Sequence, residues 1–573
     1  MIPMPKEEKI SIFVKADLNP KEYMKKILIP GLAGSGILFL VMGFFTRLIT
    51  LPRGLVFFMY LVPAIIAVYV AAYPYLAADS KRLSINSKLP YFITYFAVLS
   101  TSEIGRTDIL RVLAKDPKLG AIANEMKKVY IIVDKLHRSL PEAFRFLAKR
   151  TPSKVFADFL DRLAYSLDSG VELKDYLFQE QQTVMDDYQT FYEGALYDLD
   201  IFKEIYESVI ISIVFAGAFM IIGPILTGQN IGRLALYLAF LILAAEIGSL
   251  LVIKYRMPED PIWAEKRVET PRYRRIKRAA IISGMLVPIV FLLYFALIRP
   301  RFHLPTPFVI ALSLTPLAYL GNVVRKEEGI IFRKDENFPA FIRSLASSLA
   351  ASGASLLLVL KYLSAHDFGM LTEDIRALYR RLAVRVDSAR AWDFFIAETG
   401  SWLIGIFSEI FRESLRLGAE PDYVGKVISR NFERLVRLRR KRLQSVSNFI
   451  GIILGLTGAF AFSLAASFQV AVTINSIFSK FQVPTEYIGN VIHVIPPSGL
   501  KLLDLSLIII MIVHSLLSAL AIKVADGGNL LASLYYFVIL LWVFAIGMYI
   551  GQVLMSKFMS VGGGSLILFL LGV

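Results

Sequence analysis

Long apolar runs, rather than short alternations, dominate the chain. A helix that crosses a membrane needs about 20 predominantly apolar residues. Nine stretches meet or approach that length: 27–49, 54–78, 208–228, 233–253, 279–298, 306–322, 449–470, 504–524 and 530–551. The sixth is short for a span, and the apolar tail 565–573 is too short to cross alone. The first run is too long for a secretory signal and has no small-residue cleavage site. Two polar segments, 79–207 and 323–448, interrupt the series. Within them apolar residues recur at helical spacing, as at Phe156, Phe159, Leu160, Leu163 and Leu167, and strand-like alternation is scarce. Each segment reads as an antiparallel helical bundle. The predicted fold is an all-α polytopic membrane protein with about nine transmembrane helices and two such bundles.

Composition agrees with that reading. Of 573 residues, 56% are hydrophobic and 19% charged, and the mean hydropathy is +0.58. A soluble domain carries about 25% charged residues. With nine crossings, both bundles fall on the side of the N-terminal arm and of the linker 254–278. That side holds 55 of the 63 Lys and Arg. The residues that decide orientation lie close to span ends, and Lys25, Lys26, Lys81, Arg82, Arg274, Arg275, Arg325 and Lys326 are all on it. The bundles are therefore expected in the cytoplasm, and the formal charge of +16 follows from topology. The expected organisation is an N-terminal arm (1–26), a transmembrane hairpin (27–78), a first bundle (79–207), a second hairpin (208–253) and a basic linker (254–278). A third hairpin (279–322), a second bundle (323–448) and a C-terminal transmembrane region (449–573) complete it.

The two bundles repeat one another. Leu89-Pro90-Tyr91-Phe92 is matched by Phe338-Pro339-Ala340-Phe341, and Ser102-Glu103-Ile104-Gly105 by Ala351-Ser352-Gly353. Asp168-Ser169-Gly170 through Tyr176 is matched by Leu417-Gly418 through Tyr423. The offset stays between 247 and 249 residues. Gly217-Ala218-Phe219 and Gly458-Ala459-Phe460 then recur in the spans that follow. The chain is a tandem duplication with both copies facing one side, whereas an inverted-repeat transporter inserts its halves oppositely. Gly105, Gly170, Gly353 and Gly418 are predicted to close helix C-termini in the left-handed conformation.

The search for chemistry returns little. Cysteine is absent, which removes disulfides and thiolate sites. The five histidines, His137, His303, His366, His493 and His514, are scattered, so neither a metal nor another cofactor is expected. No G-x-x-x-x-G-K-[ST] loop, H-E-x-x-H helix or intramembrane G-x-G-D occurs. Gly31-Leu-Ala-Gly34-Ser-Gly36 follows no strand and reads as a close-packing patch. No nucleophile–base pair assembles at workable spacing, and the chain is not read as an enzyme. Glu246 is the one acidic residue well inside a span. A buried carboxylate is a candidate proton or ion site, and the simpler reading is a hydrogen bond to a neighbouring helix. His514 reads the same way.

Charge on the two arms that return from the bundles is more informative. Residues 175–207 carry nine acidic groups against Lys203. The equivalent stretch of the second bundle carries Arg430, Arg434, Arg437, Arg439, Arg440, Lys441 and Arg442 against Glu433. The basic run suits anchoring at anionic lipid headgroups. Opposite fields on homologous arms also suit oriented docking of a partner, or pairing of the arms. Nucleic acid is not expected, because no aromatic stacking pattern accompanies the charge.

Two tandem bundles, each framed by spans, resemble the platform proteins of type II secretion and type IV pilus machines, and the repeat motif resembles their F domain. The nine spans resemble the archaeal branch. The segment Ser515 to Gly528, with Lys523, Asp526 and Gly527, is most similar to platform subunits of the archaellum. The resemblance covers nearly the whole chain. It implies a non-enzymatic platform in the cell membrane on which a hexameric assembly ATPase docks. The ATPase's movements would lift pilin-like or archaellin subunits into a filament and be passed on as rotation. The resemblance also implies pairing as a homodimer. Seven basic residues, Arg430 through Arg442, are the candidate ATPase contacts. An adhesive-pilus or secretion platform is the alternative, and a secondary transporter using Glu246 is a more distant one.

Overall fold

The computed structural model describes residues 11–48, 53–264, 269–300, 302, 304–480, 493 and 495–570. His303 of the sequence reading lies outside these residues. Every element among them is a helix, with two short π-helical and several 3-10 turns. Eight helices are long and apolar enough to cross a membrane, and a ninth qualifies as a bent pair. The chain is a multi-pass helical membrane protein.

The bend corrects the sixth expected span. Thr306–Leu314 and Leu317–Ser352 meet at 45°, with Thr315 and Pro316 between them. A proline cannot donate its backbone bond and disfavours helix in the preceding residue. The Thr315 hydroxyl, which donates to the Ala311 carbonyl at 2.7 Å and accepts from Trp542 Nε1 at 3.0 Å, fills the break.

Spans and bundles also share helices. Arg53–Leu99, Leu173–Thr227, Leu317–Ser352 and Pro421–Lys480 each run unbroken from an apolar stretch into a polar one. The last, with 60 residues, is about 90 Å long at the helical rise of about 1.5 Å per residue. The apolar tail likewise extends the final helix, Ser533–Leu570.

The chain divides into two compact units. The first comprises Met1–Gly194, Pro258–Asp260 and Lys334–Leu438, and the second Ala195–Met257, Pro261–Arg333 and Arg439–Val573. The first unit contains both bundles, and their helices follow in the same order. Arg106–Lys115, Ala121–Asp134, Leu140–Arg150 and Lys154–Asp168 lie between the two long helices of the first repeat. Leu356–Leu363, Thr372–Ala383, Ser388–Thr399 and Trp402–Arg416 do so in the second.

Local chemistry repeats too. Ser153 caps Lys154–Asp168 by accepting from Phe156 N at 3.2 Å, and its hydroxyl reaches Asn86 Oδ1 at 2.5 Å. Ser401 caps Trp402–Arg416 through Ile404 N at 3.1 Å and donates to Asp335. Phe92, Phe156 and Phe159 fill the first core with edge-to-face contacts, and Phe338, Phe341 and Phe395 fill the second.

Three of the four turn glycines adopt the expected left-handed backbone: Gly170 (φ 76°), Gly353 (φ 57°) and Gly418 (φ 80°). Gly105 does not. Its φ is −64°, and it is the N-cap of Arg106–Lys115. Hydroxyls replace it at the preceding helix end, where Ser100 and Thr101 donate to the Ala97 and Val98 carbonyls at 2.7 and 2.8 Å. Gly31 packs closely, since a Cβ there would lie 2.7 Å from Val70 Cγ2.

Candidate functional site

The acidic and basic arms lie on helices Leu173–Thr227 and Pro421–Lys480. In the first unit the two run side by side. Arg434 Nη1 pairs with Asp186 Oδ1 at 2.6 Å, and Lys174 with Glu420 at 3.2 Å. Below the ion pairs, buried Asn431 donates to Thr94 Oγ1 at 2.8 Å and to Gln181 Oε1 at 3.0 Å. Both donors of that amide are thus used between repeats, so one buried side chain sets their register.

The basic residues separate by burial. Arg430 and Arg437 in the first unit, and Arg440 and Lys441 in the second, are exposed, and Arg434 is half-buried. Arg439 and Arg442 are buried, a correction to their place among the docking candidates. Arg439 donates to the Pro261 carbonyl at 2.7 Å. Arg442 closes the C-terminus of Pro497–Asp526, donating from Nε to Ala525 O at 2.7 Å and from Nη2 to Val524 O at 3.3 Å. A cation at a helix C-terminus meets orphan carbonyls and the negative end of the dipole.

Beside that cap, in the second unit, the C-terminal motif builds an ion cluster. Lys523, only 2% exposed, pairs with Glu328 Oε2 at 2.6 Å and with Asp526. Glu328 Oε1 accepts from Trp263 Nε1 at 3.0 Å and from Asn529 N at 2.6 Å. Neighbouring Glu327 takes Arg272 at 3.1 Å and Arg275 at 2.8 Å. Gly528 leaves room for the cluster, because a Cβ there would meet Lys523 Nζ at 2.2 Å and Glu328 Oε1 at 2.3 Å and would have to displace them. In the sequence Arg275 reads as an orientation charge and Lys523 as part of the C-terminal motif, and no pattern there assigns Glu327, Glu328 or Trp263 to them. The signal available was the alternation of Arg325-Lys326 with Glu327-Glu328 at a span end.

Glu246 is fully buried on Ile231–Arg256. Its Oε1 accepts from the Tyr206 hydroxyl at 3.1 Å and sits 2.6 Å from His514 Nδ1. Ser518 lies 3.2 and 3.3 Å from its two oxygens. His514 Nε2 in turn is 3.0 Å from Thr457 Oγ1. Four helices thus contribute to one polar centre inside the apolar unit. Sequence reasoning found Glu246 and His514 separately, 268 positions apart. Only the fold joins them, together with Tyr206, Thr457 and Ser518. The arrangement can hold a carboxyl group away from lipid and fix helix register. Among the described residues no cluster of His, Asp and Glu has the geometry of a metal site.

A duplicated bundle joined to apolar spans by continuous helices defines the class: a polytopic helical membrane protein built on a repeated polar module. The family described as type II secretion system (T2SS), protein F, matches residues 92–222. The chain is 41% identical to Flagella accessory protein J of Methanocaldococcus jannaschii over 96% of its own length and 97% of the relative's. It is 35% identical to the protein of the same name from Methanococcus voltae, over 94% and 96%. It belongs to the Flagella accessory protein J family. No solved structure matches it.

Proposed function

We propose that the chain is the cell-membrane platform of an archaeal type IV pilus-like filament machine, the archaellum. In this reading the bundles face the cytoplasm and hold a hexameric assembly ATPase. They pass its motions to archaellin-like subunits as lifting and rotation. The observation that carries the proposal is the set of four helices that run from bundle to span without a break, because a helix transmits displacement along its axis. The names of the relatives and the F-domain match support the machine. The excess of Lys and Arg on one side supports the orientation. ATP hydrolysis falls to a separate subunit, since the sequence has no phosphate-binding loop. An adhesive pilus or secretion system would use the same design.

The ATPase contacts are assigned to exposed Arg430 and Arg437, with Arg440 and Lys441 extending the surface or meeting anionic headgroups. Deleting the gene should leave cells without archaella and unable to swim, with subunits retained in the membrane. Swimming cells that lack thin pili would move the assignment to an adhesive pilus, and cells with every filament intact would defeat it. In a membrane-inserted Arg430→Glu/Arg437→Glu variant, ATPase binding should fall at least tenfold. Unchanged binding would remove these residues from the contact. The polar centre is assigned a structural role, so Glu246→Gln should preserve swimming where the protein remains folded.

A further inference from the structure

Helix Lys154–Asp168 and the start of Leu173–Thr227 enclose a groove on the first bundle of about 630 Å³, the size of a small-ligand pocket. Asp161 and Tyr165, one helical turn apart, form one wall, and Asp175 and Tyr176 form the other. The turn from Ser169 to Val171 closes one end. The two repeats treat the equivalent carboxylates differently. In the second, Glu409 pairs with Lys118, Glu413 with Arg416, and Asp422 with Lys426 at 2.5 Å. At the repeat offset of 247 or 248 residues, Glu409 corresponds to Asp161, Asp422 to Asp175 and Lys426 to Gln179. Among the described residues, no ion pair or hydrogen bond reaches the carboxylate of Asp161, of Asp175 or of Asp158 one turn before. The Arg162 guanidinium beside them is held by Glu180, to which its Nε donates at 2.8 Å, and Arg145 pairs with Asp168. Partial burial, reinforced by Asp158, pushes the Asp161 carboxyl above its usual range despite the fields of Lys149 and Arg145.

An independent feature points into the same groove. Ser166, 7% exposed, lines it with a hydroxyl that has no partner among the described residues. Its carbonyl accepts from Val171 N at 3.1 Å, so the backbone is satisfied and the side chain is not. Buried hydroxyls are ordinarily hydrogen-bonded. A single metal ion is a poor match, since among the described residues no three His, Asp or Glu side chains stand close enough to share one. Tyr165, Val171 and Tyr176 put apolar surface between the acidic positions. Charge spread along a partly apolar groove suits a ligand whose cationic groups are separated by methylenes, and aromatic faces attract such cations as well.

We infer that this groove binds a linear polyamine, with ammonium groups donating to Asp161, Asp175 and the Ser166 hydroxyl and methylenes lying on Tyr165, Val171 and Tyr176. The ligand supplies to the first repeat the cations that Lys118 and Lys426 supply to the second. The inference goes beyond the platform reading and stands whether or not an ATPase binds the basic arm.

The full chain in a zwitterionic detergent, dialysed against labelled spermidine at about 150 mM salt to screen loose attraction, should take up one saturable equivalent per chain. Asp161→Asn/Asp175→Asn should weaken uptake at least tenfold. Asp422→Asn, at a carboxylate with its own lysine, should leave uptake unchanged. Both groove aspartates are exposed, so the double variant should fold, and its thermal unfolding without ligand checks this. Gln179→Lys, which copies Lys426 into the first repeat, should also weaken uptake at least tenfold by holding Asp175. Equal uptake by the natural chain and the double variant, or a loss in Asp422→Asn as large as in that variant, would overturn the inference. Displacement of spermidine by an equal concentration of Mg²⁺ would reduce the effect to bare charge and overturn it too. An arginine-rich peptide that displaces spermidine at equal concentration would overturn it in favour of a protein segment. Failure here leaves the swimming and ATPase-binding tests untouched.

Discussion

Lys154–Asp168 and Trp402–Arg416 are the same helix twice, yet they live in different surroundings. Each is 15 residues long, begins at a serine cap and ends at a left-handed glycine. The second presents Trp402 and Ile406, 6% and 1% exposed, where the first presents Lys154 and Asp158 to solvent. The difference teaches that duplication has kept the rules inside a bundle, namely caps, turns and core aromatics. It has let the outer faces diverge with what covers them. The arms behave likewise, since one buried amide, Asn431, joins helices whose exposed charges have opposite sign.

The contrast can be tested by mutating equivalent positions, and Trp402 should show the largest effect. Trp402→Ala removes a buried indole and should destabilise by about 3–5 kcal/mol. Lys154→Ala should stay within about 0.5 kcal/mol. Thermal unfolding of the solubilised protein measures both, and equal losses would break the distinction between covered and open faces. Next come the caps. Ser401→Ala costs a helix cap and takes a donor from the fully buried Asp335 carboxylate, about 2–3 kcal/mol. Ser153→Ala, opposite the neutral Asn86 amide, should cost about 1–2 kcal/mol. A Ser153 loss as large as that of Ser401 would show that the charge on the acceptor is immaterial. The smallest effect is at the turns. Gly353→Ser forces a side chain into the left-handed region and should cost about 1 kcal/mol. Gly105→Ser supplies a better N-cap and should gain a few tenths of a kcal/mol. A loss at Gly105 matching that at Gly353 would restore the glycines to one class.

Much of this was legible in the chain. The offset of 247 to 249 residues predicts the repeated helix order, and the apolar runs predict the spans, because both depend on composition and spacing. Helix ends were less legible. Hydropathy reports depth in a membrane and says nothing of where a backbone stops, so spans and bundles that share one helix read as separate pieces. Gly105 was misplaced because a serine–threonine cluster can close a helix as glycine does. Arg439 and Arg442 read like their exposed neighbours, since a cation looks alike in sequence whether it caps a buried helix or faces water.

By itself the sequence determined an all-α, multi-pass, duplicated chain, for burial of apolar surface and the pairing of every backbone group in lipid leave helices as the economical answer. Tertiary structure alone decided which polar residues meet. Glu246 finds His514 across 268 positions, Lys523 finds Glu328, and the Glu103 backbone N–H finds the Leu417 carbonyl. These choices are long-range because a buried polar group is satisfied by whichever partner packing brings within about 3 Å, and no local pattern encodes that distance.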